Sequence, residues 1–68
     1  MRTEIFEADP FSGARAKSLA TIDSDYRFER NDEFTLETDG GSIRLRVTHV
    51  RIRIKGTTLS REITALRI

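Results

Sequence analysis

A chain of 68 residues with no cysteine has room for a single domain, 1–68, and for neither disulfides nor thiolate metal sites to support it. At this size only about 60% of the unfolded chain's surface becomes buried, so self-association is the expected supplement. The net charge of +1 hides a division: residues 1–40 carry five Lys/Arg against ten Asp/Glu, and residues 41–68 carry seven Lys/Arg against Glu62 alone. Such a split either marks an anionic partner or lets one half neutralise the other. Met1 is followed by RTEIFEADPF, which lacks the apolar stretch of a signal peptide, and no apolar run nears the ~20 residues of a bilayer span. A soluble, cytoplasmic protein without membrane attachment is therefore expected.

In chain order, Thr3 to Ala8 is rich in β-branched and aromatic residues and reads as a strand, ended by Asp9-Pro10. Phe11 to Gly13 continues the turn. Ala14 to Ile22 has the helix formers ARAKSLA, which leaves a short helix open. Its apolar content is thin for an amphipathic face, which favours a strand over Ser18 to Ile22. Asp23-Ser24-Asp25 has turn chemistry. Tyr26 and Phe28 alternate with Arg27 and Glu29 in a short extended piece, and Arg30-Asn31-Asp32 is another turn. Glu33 to Thr38 is a strand with Phe34 and Leu36 inward.

Asp39-Gly40 is a strong hairpin signal, since a primed turn needs positive φ there. Closure at that point pairs Leu36 with Ile43 and Phe34 with Leu45, and sets Glu33 opposite Arg46. A turn at Gly40-Gly41 keeps the same faces and sets Glu37 opposite Arg44 instead. Acidic residues meet arginines in either register.

Ile43 to Lys55, IRLRVTHVRIRIK, is the most informative stretch. Aliphatic and cationic residues alternate, which in a strand separates them onto opposite sides. The alternation changes phase midway, from Ile43, Leu45 and Val47 to Val50, Ile52 and Ile54. A β-bulge at Thr48-His49 restores phase and gathers Arg44, Arg46, Arg51, Arg53 and Lys55 on one side; without it they divide between two. Gly56 to Thr58 turns the chain back. Leu59 to Ile68 fits helical spacing at Leu59, Ile63 and Leu66, but its β-branched residues favour a last strand.

About five short strands joined by tight turns predict an all-β fold, with one short helix left open, in the form of a small, strongly bent antiparallel barrel of SH3-like or PUA-like type. Phe6, Phe28 and Phe34 are assigned to its core, and Tyr26 is left partly exposed.

Catalytic and metal chemistry finds little footing. His49 is the only histidine and lacks the partners of a triad or a transition-metal site. Asp23-Ser24-Asp25 begins a calcium-loop pattern that Arg27 interrupts at the third ligand position. Gly40-Gly41 precedes a strand and lacks the lysine of a nucleotide cradle. No enzyme, cofactor or metal is expected. The basic row Arg44, Arg46, Arg51, Arg53 and Lys55, with Arg61 and Arg67 nearby, suits phosphate recognition. No aromatic interleaves with it for base stacking, and an outer face laced with Glu33, Glu37 and Glu62 is the plainer alternative.

From Tyr26 onward, YRFERNDEFTLET followed by IRLRVTHVRI resembles the barrel core of ASCH/PUA-like domains. Asn31-Asp32 stands where those have an acidic glycine-aspartate turn, and Val47-Thr48-His49-Val50 where they have a V-T-x-[VI] strand. The resemblance covers Tyr26 to Val50, lacks a lysine-bearing N-terminal helix, and implies a small RNA-associated barrel with no residue roles. Ser60-Arg61-Glu62-Ile63 is similar to a basic strand of small dimeric carbon-storage RNA regulators, whose N-terminal strand pattern is missing here. Two expectations follow. One is a nucleic-acid-binding barrel that uses the basic row. The other is a protein-interaction or assembly module, a homodimer included, that works through an exposed strand edge with the arginines purely structural.

Overall fold

The computed structural model describes residues 1–68 and contains five strands: β1 (Arg2–Ala8), β2 (Arg15–Asp23), β3 (Glu33–Thr38), β4 (Gly41–Lys55) and β5 (Thr58–Arg67). They form one sheet in the order β2-β1-β5-β4-β3, curled into a half-barrel. The all-β architecture expected from the sequence is thus present, and both ambiguous segments are strands. One ladder departs from an all-antiparallel arrangement, since β1 pairs parallel with β5, from Arg2 opposite Ser60 to Glu7 opposite Ala65. β2 and β3 do not pair, so the sheet stays open. The structure contains no helix long and apolar enough to cross a membrane.

Local chemistry sets the turns. Between β1 and β2 the Asp9 carboxylate accepts the backbone N–H groups of Phe11 (2.8 Å) and Ser12 (3.3 Å), which fixes the loop where Pro10 ends the strand. The β3–β4 hairpin closes at Asp39-Gly40 with Leu36 opposite Ile43, Phe34 opposite Leu45 and Glu33 opposite Arg46. The register is the one the first turn position predicts. Its positive φ, however, falls on Gly41 (128°) and not on Asp39 or Gly40. A turn of ordinary hand followed by a glycine that absorbs the twist meets the same pairing. Gly56, at φ 62°, supplies the left-handed residue of the β4–β5 turn, for which Lys55 and Thr58 form the closing pair.

β4 carries a bulge between Val47 and His49. The spare residue is Thr48, whose hydroxyl donates to the Thr64 carbonyl at 3.1 Å and so ties the kink to β5. Cross-strand partners share a side of the sheet, and Val47 opposite Ala65 and Val50 opposite Ile63 therefore share the core side. The change of phase in the sequence is the bulge itself.

The core is small. Ile5, Val47 and Ile63 form its centre, with Leu19, Phe28 and Phe34 packed against them. Residues 24–32 carry the chain across this core side, from one edge strand to the other. Nine extended residues reach about 30 Å, ample for a sheet whose strands lie about 4.8 Å apart. Phe28 meets Tyr26 and Phe34 edge-on, with ring centroids 4.8 and 5.7 Å away.

Two expectations need correction. Asp23-Ser24-Asp25 is not a turn: Asp23 ends β2, and the Asp23 and Asp25 carboxylates accept the Met1 ammonium at 2.8 and 3.1 Å. These hydrogen bonds raise the pKa of the ammonium above its usual value and lower that of Asp23. Phe6 is not a core residue. It alternates with Ile5 onto the opposite side, where its ring lies under the Arg15 guanidinium at 4.5 Å.

Beneath the crossing segment lies Arg61, 6% exposed. Its Nε and Nη2 donate to Thr3 Oγ1 (3.1 and 2.9 Å), Nη1 to the Tyr26 carbonyl (2.6 Å) and Nη2 also to the Ser24 carbonyl (3.1 Å). Its Cζ lies 5.2 Å from the Phe28 ring centroid. One side chain thus joins β5, β1 and the crossing segment. Replacement by Arg61→Met keeps the bulk and orphans these acceptors. Since hydrogen bonds to a charged group contribute ~1.5–3 kcal/mol each, a loss of about 3 kcal/mol is expected in urea denaturation. An unchanged midpoint would show that the fold does not depend on this network.

Candidate interaction surface

The bulge decides where the basic row goes. Beyond Thr48, His49 pairs with Thr64, Arg51 with Glu62, Arg53 with Ser60 and Lys55 with Thr58, whereas Val50, Ile52 and Ile54 pair with Ile63, Arg61 and Leu59. Before it, Arg44 pairs with Thr35, and Arg46 with Glu33. Arg44, Arg46, Arg51, Arg53 and Lys55 accordingly share the outer side of β4. Arg61 and Arg67 do not join them. Arg61 is consumed by the network under the crossing segment, and Arg67 Nη2 binds Glu7 Oε1 at 3.1 Å.

Three cations of the row, Arg44, Arg51 and Lys55, form no ion pair, although Arg51 stands opposite Glu62 across the ladder; Arg46 lies 3.7 Å from Glu33, and Arg53 3.2 Å from Glu62. Glu62 is the organising group of this side. Only 8% exposed, it receives Arg15 Nη1 at 3.0 Å and Arg53 Nη1 at 3.2 Å on one oxygen, Oε2. Arg15, which also covers Phe6, thereby folds the start of β2 over β5. Beside it opens a cavity of about 490 Å³ lined by Gly13, Ala14, Arg15, His49, Arg51 and Glu62. His49 is exposed, with Nδ1 3.3 Å from Thr48 Oγ1. No three His, Cys, Asp or Glu side chains converge as a metal site would require.

The core side of β4 holds the feature that sequence reasoning missed. Ile43, Leu45 and Val47 are covered or partly covered, yet Val50, Ile52 and Ile54 on the same side are 38, 52 and 72% exposed, and Leu59 opposite Ile54 is exposed as well. The cause is where β3 leaves the sheet. Val47 donates to the Asp32 carbonyl and accepts from the Asn31 N–H, both at 2.8 Å. Asn31, at φ 77°, then turns the chain off the edge, a left-handed conformation that asparagine tolerates. Glu29 to Asp32 close this corner, with the Asp32 carboxylate accepting the Glu29 N–H at 2.8 Å.

From Thr48 to Lys55, β4 therefore has β5 on one edge and no strand on the other. Lys55 and Thr58, flanking a two-residue turn, form a hydrogen-bonded pair, and such pairs alternate along a ladder. The backbone N–H and C=O groups of Val50, Ile52 and Ile54 consequently point to the free edge. The turns at Asn31 and Gly56 are legible in the sequence, but the absence of a neighbour beyond Val47 follows only from the sheet order.

No family model matches this chain, and no curated protein or solved structure shows significant similarity to it.

The clasp around Glu62 is open to measurement. Glu62→Gln removes the charge shared by Arg15 and Arg53 while keeping the volume. The arginines are 48 and 65% exposed, so solvent screening limits the loss to about 1 kcal/mol. Faster amide exchange at Ala14 to Lys17 is expected alongside it; unchanged exchange there would show that Arg15 is held by Phe6 alone.

Proposed function

We propose that the protein is a protein-interaction module that accepts a partner along the free edge of β4. A single observation carries this reading: over Val50 to Ile54 the unpaired backbone edge coincides with a row of exposed aliphatic side chains. Open edges are usually shortened, bulged or charged to prevent pairing. Here the edge runs on for several residues past the bulge, and its charges all lie on one side. A strand added to such an edge gains main-chain hydrogen bonds, and its alternate side chains find apolar contacts. The small core gives the chain a further reason to bury this surface in a complex.

The basic row supports a second reading, nucleic-acid binding through Arg44, Arg46, Arg51, Arg53 and Lys55. It is favoured by the shared side of the five cations and by the open cavity flanked by Arg15, His49 and Arg51. Two observations weigh against it. Glu33 and Glu62 already pair with Arg46 and Arg53. The one aromatic among the outer-side strand positions, Phe6, is covered by Arg15, so no aromatic interleaves with the row itself for base stacking.

One titration series separates the readings. Peptides selected from a random displayed library should shift the amides of Thr48 to Lys55 in labelled protein. They should lose binding to Ile52→Pro, which removes an N–H from the free edge but none from the β4–β5 ladder. Short mixed RNA and single-stranded DNA at two salt concentrations form the other arm. Salt-sensitive shifts on Arg44 to Lys55 from nucleic acid, with no peptide binding at the edge, would replace the first reading by the second.

A further inference from the structure

The two halves of β4 repeat one pattern. Ile43-Arg44-Leu45-Arg46-Val47 and Val50-Arg51-Ile52-Arg53-Ile54 are both aliphatic-arginine alternations, and the bulge puts their aliphatic residues on the same side of the sheet. The first half has its edge covered by β3, Glu-Phe-Thr-Leu-Glu-Thr. There Phe34 and Leu36 lie opposite Leu45 and Ile43 on the core side, while Glu33 and Thr35 lie opposite Arg46 and Arg44 on the outer side. The second half has no such cover.

Resting on the edge-binding reading above, we infer that the occupant of Val50 to Lys55 is an extended segment of another protein with the pattern of β3, aliphatic or aromatic residues alternating with acidic ones. The correspondence extends to the hydrogen bonding. Val47 exchanges its backbone bonds with Asn31 and Asp32, so by alternation Leu45 and Ile43 occupy hydrogen-bonded pairs with β3, and Arg44 and Arg46 the closer-spaced non-bonded pairs. On the free half, Val50, Ile52 and Ile54 offer the hydrogen-bonded positions, and Arg51 and Arg53 the close ones. An incoming strand antiparallel to β4 runs in line with β3, its apolar side chains over Ile52 and Ile54 and its carboxylates against Arg51, Arg53 and Lys55. Arg51 and Lys55 form no ion pair within the chain, because Glu62, which stands opposite Arg51, is engaged by Arg15 and Arg53.

Charge also argues against β4 of a second copy of this chain as the occupant. In an antiparallel pairing of β4 with itself centred on Ile52, Arg51 faces Arg53 and Lys55 faces His49 of the other copy; with Ile52 opposite Ile54, Arg51 faces Lys55 and Arg53 faces Arg53. Like charges directly opposite are destabilising. An acidic strand reverses the sign of each of those contacts.

The test uses the whole chain, isotopically labelled, and synthetic peptides built on EFTLET, on its lysine counterpart KFTLKT and on the uncharged QFTLQT. Amide shifts on Val50 to Lys55, and not on Gly41 to Arg46, are expected with the acidic peptide, at least about tenfold tighter than with the lysine one. The double variant Arg51→Gln/Lys55→Gln, which leaves the Arg15–Glu62–Arg53 contacts in place, should abolish that preference. Equal or tighter binding of QFTLQT or KFTLKT at the same amides would overturn the acidic occupant and leave the edge reading intact. Silence at Thr48 to Lys55 with all three, including wild-type protein at low salt, would overturn both. Concentration-dependent dimerisation that shifts these amides would assign the edge to a second copy, and binding of short RNA alone would assign the row to nucleic acid; either result removes the inference.

Discussion

A buried guanidinium with no carboxylate beside it holds this molecule together. Taking a charge out of water is costly unless its hydrogen bonds are met. Arg61 meets them with one hydroxyl, Thr3 Oγ1, and two backbone carbonyls, those of Ser24 and Tyr26. Those carbonyls belong to the segment that crosses the core, so satisfying the charge also fixes that segment's path. The path brings Phe28 over Ile5, Val47 and Ile63, and it delivers β3 to the edge of β4. In a domain this small, a polar network decides the geometry in which a modest apolar core can form.

The same crossing explains why the surface is unfinished. Because the chain arrives at β4 only at Asn31 and Asp32, β3 covers the half of β4 nearest its own hairpin and no more. The β4–β5 hairpin then projects past the core with aliphatic residues on one side and cations on the other. Its outer side is partly quieted by Glu33 and Glu62, and its core side is left open to solvent.

Much of this was legible because it is local. Asp39-Gly40 and Gly56-Thr57 mark turns by their own chemistry, and the bulge at Thr48 announces itself as a slip in an otherwise regular alternation. What could not be read depends on which strands become neighbours. The parallel β1–β5 ladder has no signature in either strand, and the free edge beyond Val47 follows from sheet order alone. Arg61 is an instructive middle case. It shares parity with Leu59, Ile63 and Ala65, so its place on the core side was implied once β5 was a strand. Grouping it with the other arginines by charge concealed this. Phe6 departs from expectation for the matching reason: its hydrophobicity suggests the core, but its phase against Ile5 sets it on the opposite side.

The parallel ladder between β1 and β5 also constrains the order in which the molecule can assemble. Hairpins close between near neighbours and form early, but the centre of this sheet joins residues such as Thr3 and Arg61 from opposite ends of the chain. Contacts so distant in sequence slow folding, because the loop between them must be closed before they give anything back. During synthesis β1 and β2 can form only an isolated pair, marginal in water, that waits for its partner. The central strand pairing is completed only after β5 has emerged, so the domain reaches its folded state as a unit and not from its N-terminus forward.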